Sequence, residues 1–169
     1  MAKAILHICT SVDGFIADEN GSSNFVFKAQ EADSDFEKFY NSVGSVVMGR
    51  KTYDYLKDKQ PNLFKDKDVF VITHYLRQKE KNITFIHEDI MGCITDLKKN
   101  SKKDIWILGG SEIVNILLKE KLLDKAIITT APIVLGKGVR LFKNDNPNID
   151  LKLVSAQTFA DFVQVEYKF

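Results

Sequence analysis

Six short runs of consecutive apolar and β-branched residues, separated by segments of helical period, constrain this chain more than anything else in it. Ala4 to Cys9, Ser45 to Met48, Val69 to Thr73, Ile83 to Ile86, Ile105 to Leu108 and Ala126 to Thr130 have the length and composition of buried strands. A strand that is apolar at consecutive positions has no face to give to water, so both faces of its sheet must be covered. The covering segments are visible between the runs. Phe36, Phe39, Tyr40 and Val43 fall on one helical stripe, and Ser34 with Glu37 predicts a capping box at its start. Ile90, Ile94 and Leu97 make a second stripe, and Ile113, Val114, Leu117 and Leu118 a third. Towards the end the period changes to two. Leu151 and Leu153 flank Lys152, and Val163, Val165 and Tyr167 alternate with Gln164, Glu166 and Lys168, which predicts half-exposed antiparallel strands.

Together these signals predict one α/β domain over residues 1–169, with a mostly parallel central sheet and C-terminal antiparallel strands. Right-handed crossovers put helices on both faces, and ligands of such sheets lie beyond the carboxyl ends of the strands. A chain of 169 residues, 44% hydrophobic and 28% charged, is long and apolar enough to bury a core without staples. Its net charge of +1 offers no electrostatic case for a nucleic-acid or membrane partner. Lys98, Lys99, Lys102 and Lys103 read as a solvated helix end. Cys9 and Cys93 read as small core hydrophobes, as do Met48 and Trp106. No apolar run approaches ~18 residues, and Met1 to Thr10 lacks the features of an export signal, so a cytoplasmic protein is expected. His7 and His87 lack ligand partners in the sequence, and no metal site is expected.

Two strand-to-helix turns are suited to anions. In Val46-Val47-Met48-Gly49-Arg50-Lys51-Thr52-Tyr53 an apolar strand ends in glycine just where a helix is expected to begin. First-turn amides are unpaired there and the helix dipole is positive, so an anion is favoured. Arg50 and Lys51 add charge and Thr52 a hydroxyl; the alternative is a surface helix that starts with two basic residues. The second turn, Ile105-Trp106-Ile107-Leu108-Gly109-Gly110-Ser111-Glu112, runs through two glycines, which serve either a close ligand or tight strand–helix packing. Two such turns suggest one extended ligand with several phosphates. The glycine spacings of the P-loop and of the Rossmann fingerprint are both absent.

Four segments, in order, resemble the dihydrofolate-reductase-like superfamily, which includes the riboflavin-pathway reductase domain. They are Ser11-Val12-Asp13-Gly14-Phe15-Ile16-Ala17, Met48-Gly49-Arg50-Lys51-Thr52-Tyr53, Ile107-Leu108-Gly109-Gly110-Ser111, and Ala131-Pro132-Ile133-Val134-Leu135-Gly136-Lys137-Gly138 with Leu141-Phe142. The resemblance implies a three-layer αβα fold and NADPH as cofactor. It implies that Arg50 grips the 2′-phosphate, with Thr73 and His74 beside the adenosine end. Lys51, Thr52, Gly109, Gly110 and Ser111 would hold the pyrophosphate, Gly49 and Leu108 would be further cofactor-binding positions, and Ile16, Ala17 and the backbone near Cys9 would face the nicotinamide.

The same resemblance places Asp33 at the position of the pterin-binding carboxylate, with Thr129 as its supporting hydroxyl. Asp33 also lies beside an expected helix start, where aspartate commonly caps, and Asp35 is the fallback carboxylate. Asp13 reads chiefly as a loop-former. The chain departs from folate reductases in the stretch Asp18 to Phe25, which lacks their Pro-Trp loop, and has no arginine between Lys51 and Val69 to clamp a folate tail. It departs from the riboflavin-pathway enzymes at Phe15, where a basic residue is common, and has no fused deaminase. What the resemblance implies is an NADPH-dependent reductase of a small pterin- or pyrimidine-like heterocycle, a homodimer as in similar reductases. A dihydrofolate or pterin reductase and a non-catalytic nucleotide-binding protein are the alternatives.

Overall fold

The computed structural model describes residues 1–75, 78 and 80–169. The six apolar runs are strands, with ends that shift by at most two residues. They are β1 (Ala4–Ser11), β3 (Val43–Gly49), β4 (Asp68–Ile72), β5 (Ile83–Ile86), β6 (Asp104–Gly109) and β7 (Lys125–Ala131). The alternating C-terminal runs are β9 (Lys152–Phe159) and β10 (Phe162–Lys168). All eight join one sheet in the order β5-β4-β3-β6-β1-β7-β10-β9. Only β10 runs against its neighbours, pairing antiparallel with β7 and β9. A two-stranded ribbon of β2 (Phe15–Ala17) and β8 (Val139–Arg140) stands apart.

Helices cover both faces. On one side α4 (Ile90–Asn100) and α5 (Ser111–Lys119) bury Ile94, Ile113, Val114 and Leu117 against Leu6, Val47, Ile105 and Ile107. On the other, α2 (Phe36–Ser42) and α3 (Arg50–Lys59) pack on Val46, Met48, Val69, Val71 and Trp106. The helix α1 (Asn24–Ala32) was not among the expected elements; it covers Cys9, Ala131 and Phe162. Cys9 is two residues from His7, which meets the rings of α2, so strand alternation puts α1 and α2 on the same face.

Several local expectations need correction. The start of α2 is capped by Asp35 rather than Ser34, with no side-chain bond, so the Ser34–Glu37 capping box does not form. Val43 opens β3 instead of closing the α2 stripe. Lys98 is no solvated lysine: its Nζ lies 2.7 Å from Asp124 Oδ2 and donates to the Leu122 carbonyl at 3.1 Å. At the C-terminus the alternation is present but its sense is inverted, since Gln164 is buried and Val163 exposed. The outermost strand β9 is open to solvent along nearly its whole length.

Trp106 and Met48 are core, as expected. The Trp106 indole N–H donates to the His7 carbonyl at 2.9 Å, and the His7 ring lies edge-on to Phe39, 4.3 Å between centroids. His7 is buried with no partner for Nδ1 among the described residues, and burial pulls its pKa from 6.5 to about 4. A histidine held neutral stabilises the fold above its unfolded pKa, and that contribution is lost as pH falls from about 6.5 towards 4. The wild type is therefore expected to lose up to about 3 kcal/mol of unfolding free energy across that window, in urea titrations at each pH. His7→Leu should flatten this part of the pH profile.

Candidate active site

The two glycine-bearing turns meet. Strands β3 and β6 are parallel neighbours with Met48 opposite Gly109, so both leave the sheet at the same edge and side by side. A Cβ added to Gly49 would stand 3.8 Å from both the Gly109 oxygen and the Gly110 nitrogen, and 3.6 Å from Ile113 Cγ1. One added to Gly110 would stand 3.5 Å from Ile16 Cδ1 and 3.8 Å from Thr52 Oγ1. Without side chains at these two positions the exits approach closely, in a space where a Cβ at either would come into ordinary van der Waals contact. Gly109 has φ +97°, a conformation that favours glycine, and the Gly109–Gly110 peptide is cis.

Both helices that leave this space have glycine at the N-cap, Gly49 for α3 and Gly110 for α5. No side-chain oxygen caps them, so the amides of Arg50, Lys51 and Thr52, and of Ser111 and Glu112, have no helical acceptor. Such a pair of bare helix starts, with no Cβ between them, fits a diphosphate. Arg50 Nη1 is bonded to Asp54 Oδ2 one turn on, at 2.8 Å, with both side chains partly exposed. Thr73 and His74 follow β4 directly, next to the β3 exit, because Gly49 pairs with Ile72. Thr73 is buried and its Oγ1 accepts the Tyr75 amide, while His74 is exposed.

Two expected residues are differently occupied. The Ser111 hydroxyl is buried and bonded to the Arg140 carbonyl, so its amide rather than its side chain faces outward bonding. The Leu108 side chain packs with the Trp106 and Met48 cluster, away from the turn.

Beyond the sheet edge the β2–β8 ribbon presents Ile16 and Ala17. Its close pairing requires Gly138, where a Cβ would fall 2.1 Å from the Ala17 carbonyl. Asp13 ties the ribbon down: Oδ1 accepts the Ser11 hydroxyl at 2.7 Å and the Leu135 amide at 3.1 Å, and Oδ2 accepts the Gly136 amide at 2.7 Å. It is the loop-former anticipated. Sequence reasoning missed Arg140, whose guanidinium sits 4.7 Å from the centre of the Phe15 ring. A cation therefore stands over the position where the sequence has none.

Asp33 and Thr129 are brought together through a residue that sequence reasoning placed on the polar outer face. Gln164 Nε2 donates to Asp33 Oδ2 at 3.1 Å and to Thr129 Oγ1 at 3.0 Å. Asp33 is the C-cap of α1, and its Oδ1 accepts the Asp35 amide at 2.9 Å ahead of α2. One oxygen shapes the helix junction and the other faces the sheet. Thr129 lies two residues before the end of β7, and β7 is separated from the β6 exit by β1 alone, about 10 Å across the sheet.

A three-layer α/β sheet with paired glycine exits and a carboxylate over the neighbouring strands has the architecture of the dihydrofolate-reductase-like proteins. The chain belongs to the RibD C-terminal domain family, whose model matches residues 2–165. It is 36% identical to the uncharacterized protein YwjB of Bacillus subtilis (strain 168), over 98% of this chain and 97% of that one. Among solved structures it is similar to a putative riboflavin biosynthesis protein from Shewanella sp. PV-4, with TM-score 0.86, 28% identity, and 99% and 98% of the two chains covered. The fold is also that of a dihydrofolate reductase from Enterococcus faecalis complexed with NADP(H), with TM-score 0.68 at 14% identity and 98% and 95% coverage. The chain thus has a RibD-like reductase fold. Among its described residues no helix is long and apolar enough to cross a membrane.

The Ser11 hydroxyl and the Leu135 and Gly136 amides pull the Asp13 carboxyl from 3.8 to about 2. A depressed carboxyl holds its tether fully above about 3.8, and the tether is lost as pH falls through about 2. Asp13→Ala should speed hydrogen exchange at the Leu135 and Gly136 amides by roughly tenfold at neutral pH, the loss expected for one or two such bonds. Acidifying the wild type towards pH 2 should loosen the same two amides.

Proposed function

We propose that this chain is an NADPH-dependent reductase that delivers a hydride to a small pterin- or pyrimidine-like heterocycle. Its reaction class is that of 5-amino-6-(5-phosphoribosylamino)uracil reduction in riboflavin biosynthesis. The observation that carries the reading is the shared space between Gly49 and Gly110, with two uncapped helix starts around it. Backbone amides of α3 and α5 hold the diphosphate, with Lys51 and Thr52 at the first helix. Arg50 exchanges Asp54 for the 2′-phosphate, beside Thr73 and His74. Ile16, Ala17 and the backbone near Cys9 form the wall for the nicotinamide ring, and they exclude water from it. When bound, the cofactor supplies the hydride; the protein orients the acceptor and manages its proton.

Asp33 is the group for that second task. Its carboxylate hydrogen-bonds an amino-pyrimidine edge and helps pass a proton to the acceptor through water. Arg140, over Phe15, supplies a cation near the pocket mouth for an anionic substituent. Two free thiols, Cys9 and Cys93, suit the reducing cytoplasm. The homodimer reading is supported by the open edge strand β9, which exposes Leu153 and Val154.

Titration of the protein with NADPH and NADH tests the reading. NADPH should bind more tightly, and Arg50→Ala should weaken NADPH by roughly 10- to 100-fold while leaving NADH nearly unchanged, as expected for one charge-assisted phosphate contact. Absence of binding, or equal loss for both cofactors, overturns it. NADPH oxidation with 5-amino-6-ribosylamino-uracil phosphate, dihydrofolate and dihydrobiopterin distinguishes a reductase from a nucleotide-binding protein without activity.

A further inference from the structure

Gln164 has a buried side chain on β10, and the Asp33 carboxylate, which can only accept, determines which way it points. In register, Thr129 of β7, Gln164 of β10 and Gln157 of β9 stand directly across from one another. Gln157 Nε2 donates to Gln164 Oε1 at 2.9 Å. With its oxygen engaged towards the sheet edge, the Gln164 amide has both N–H groups facing inward. One goes to Asp33 Oδ2 and the other to Thr129 Oγ1. The opposite orientation would set the Gln164 oxygen against a carboxylate, and the exposed Gln157 amide, free to offer either end, follows the Gln164 oxygen. The chain of three strands therefore carries one hydrogen-bond polarity from the rim of the sheet to Asp33.

We infer that Gln164 is a positioning residue for the Asp33–Thr129 pair, with its own oxygen satisfied from the open edge strand by Gln157; this deepens the reductase reading and rests on it. Asp33 is anchored at both oxygens, by the Asp35 amide on one and by Gln164 on the other, so the plane of its carboxyl is determined. Thr129 accepts from Gln164, so its own proton is left for a different acceptor. An acceptor and a hydroxyl are thereby held next to each other over β7. Loss of one hydrogen bond to a charged carboxylate is worth roughly 10- to 100-fold in what that carboxylate binds.

The test uses side-chain amide NMR together with binding of 2,4-diaminopyrimidine to the NADPH-saturated protein. In the wild type the Gln164 NH2 pair should be protected from exchange, and Asp33→Ala or Gln157→Leu should release it. Gln164→Leu should weaken 2,4-diaminopyrimidine by roughly 10- to 100-fold with NADPH affinity unchanged, and Gln157→Leu should do the same by a smaller factor. The double variant Asp33→Asn/Gln164→Glu reverses donor and acceptor and keeps the bonds. It should recover the melting temperature lost in Gln164→Glu alone without recovering 2,4-diaminopyrimidine. A freely exchanging Gln164 amide in the wild type overturns the inference, and so does unchanged 2,4-diaminopyrimidine affinity in Gln164→Leu when Asp33→Asn abolishes it. Failure of the wild type to bind NADPH overturns the reductase reading instead, and the exchange measurement still decides whether the clamp exists.

Discussion

Parallel pairing of β3 with β6 is the constraint on which the site depends. Adjacent parallel strands leave a sheet at the same edge, and the register that sets Met48 against Gly109 makes their exits level. The helices that follow must then begin within a few ångströms of one another. Any Cβ at Gly49 or Gly110 would occupy the space between them. Absence of two side chains, together with unpaired first-turn amides, leaves the exits positive without requiring a lysine or arginine between them. The sheet core beneath keeps this geometry rigid, since Val46, Val47, Ile105 and Ile107 are almost completely buried.

A second arrangement operates on the other side of β1. There the sheet face is polar where a core would ordinarily be apolar, with Thr129 and Gln164 buried next to Cys9 and Phe162. Buried polar groups are costly unless each is bonded, and here the bonds run through Gln157 and Asp33 in a continuous series. The helix α1 closes this series by ending at Asp33. Its own residues do little more than cover Cys9, Ala131 and Phe162; where it stops is what places a carboxylate over β7.

Much of the fold was readable because its strands are buried on both faces. Continuous apolar runs such as Val69 to Thr73 and Ile105 to Leu108 have few alternatives to a covered sheet, and α4 and α5 show a clear stripe. The helix α1 carries a stripe of Phe25, Val26, Ala29 and Ala32, but it escaped because two of its four members are alanines and the segment is only nine residues long. The capping box at Ser34 failed because Asp33 draws the Asp35 amide to its own side chain, which shifts the helix start by one residue. Gln164 was misplaced for a more general reason. A polar residue in an alternating strand is assigned to water by default, and only a partner from a distant segment can make it an inward one.

From the sequence alone came the covered α/β sheet and the two glycine-ended turns, because each is written in local residue order and in the periods of 2 and 3.6 that backbone geometry imposes, whereas the candidate carboxylate came only through the family resemblance. Tertiary structure alone decided that the turns face one another, that Arg140 stands over Phe15, and that Gln157 and Gln164 orient Asp33. Those relations join residues up to 131 positions apart, and strand order and register, which no local pattern encodes, bring them within bonding distance.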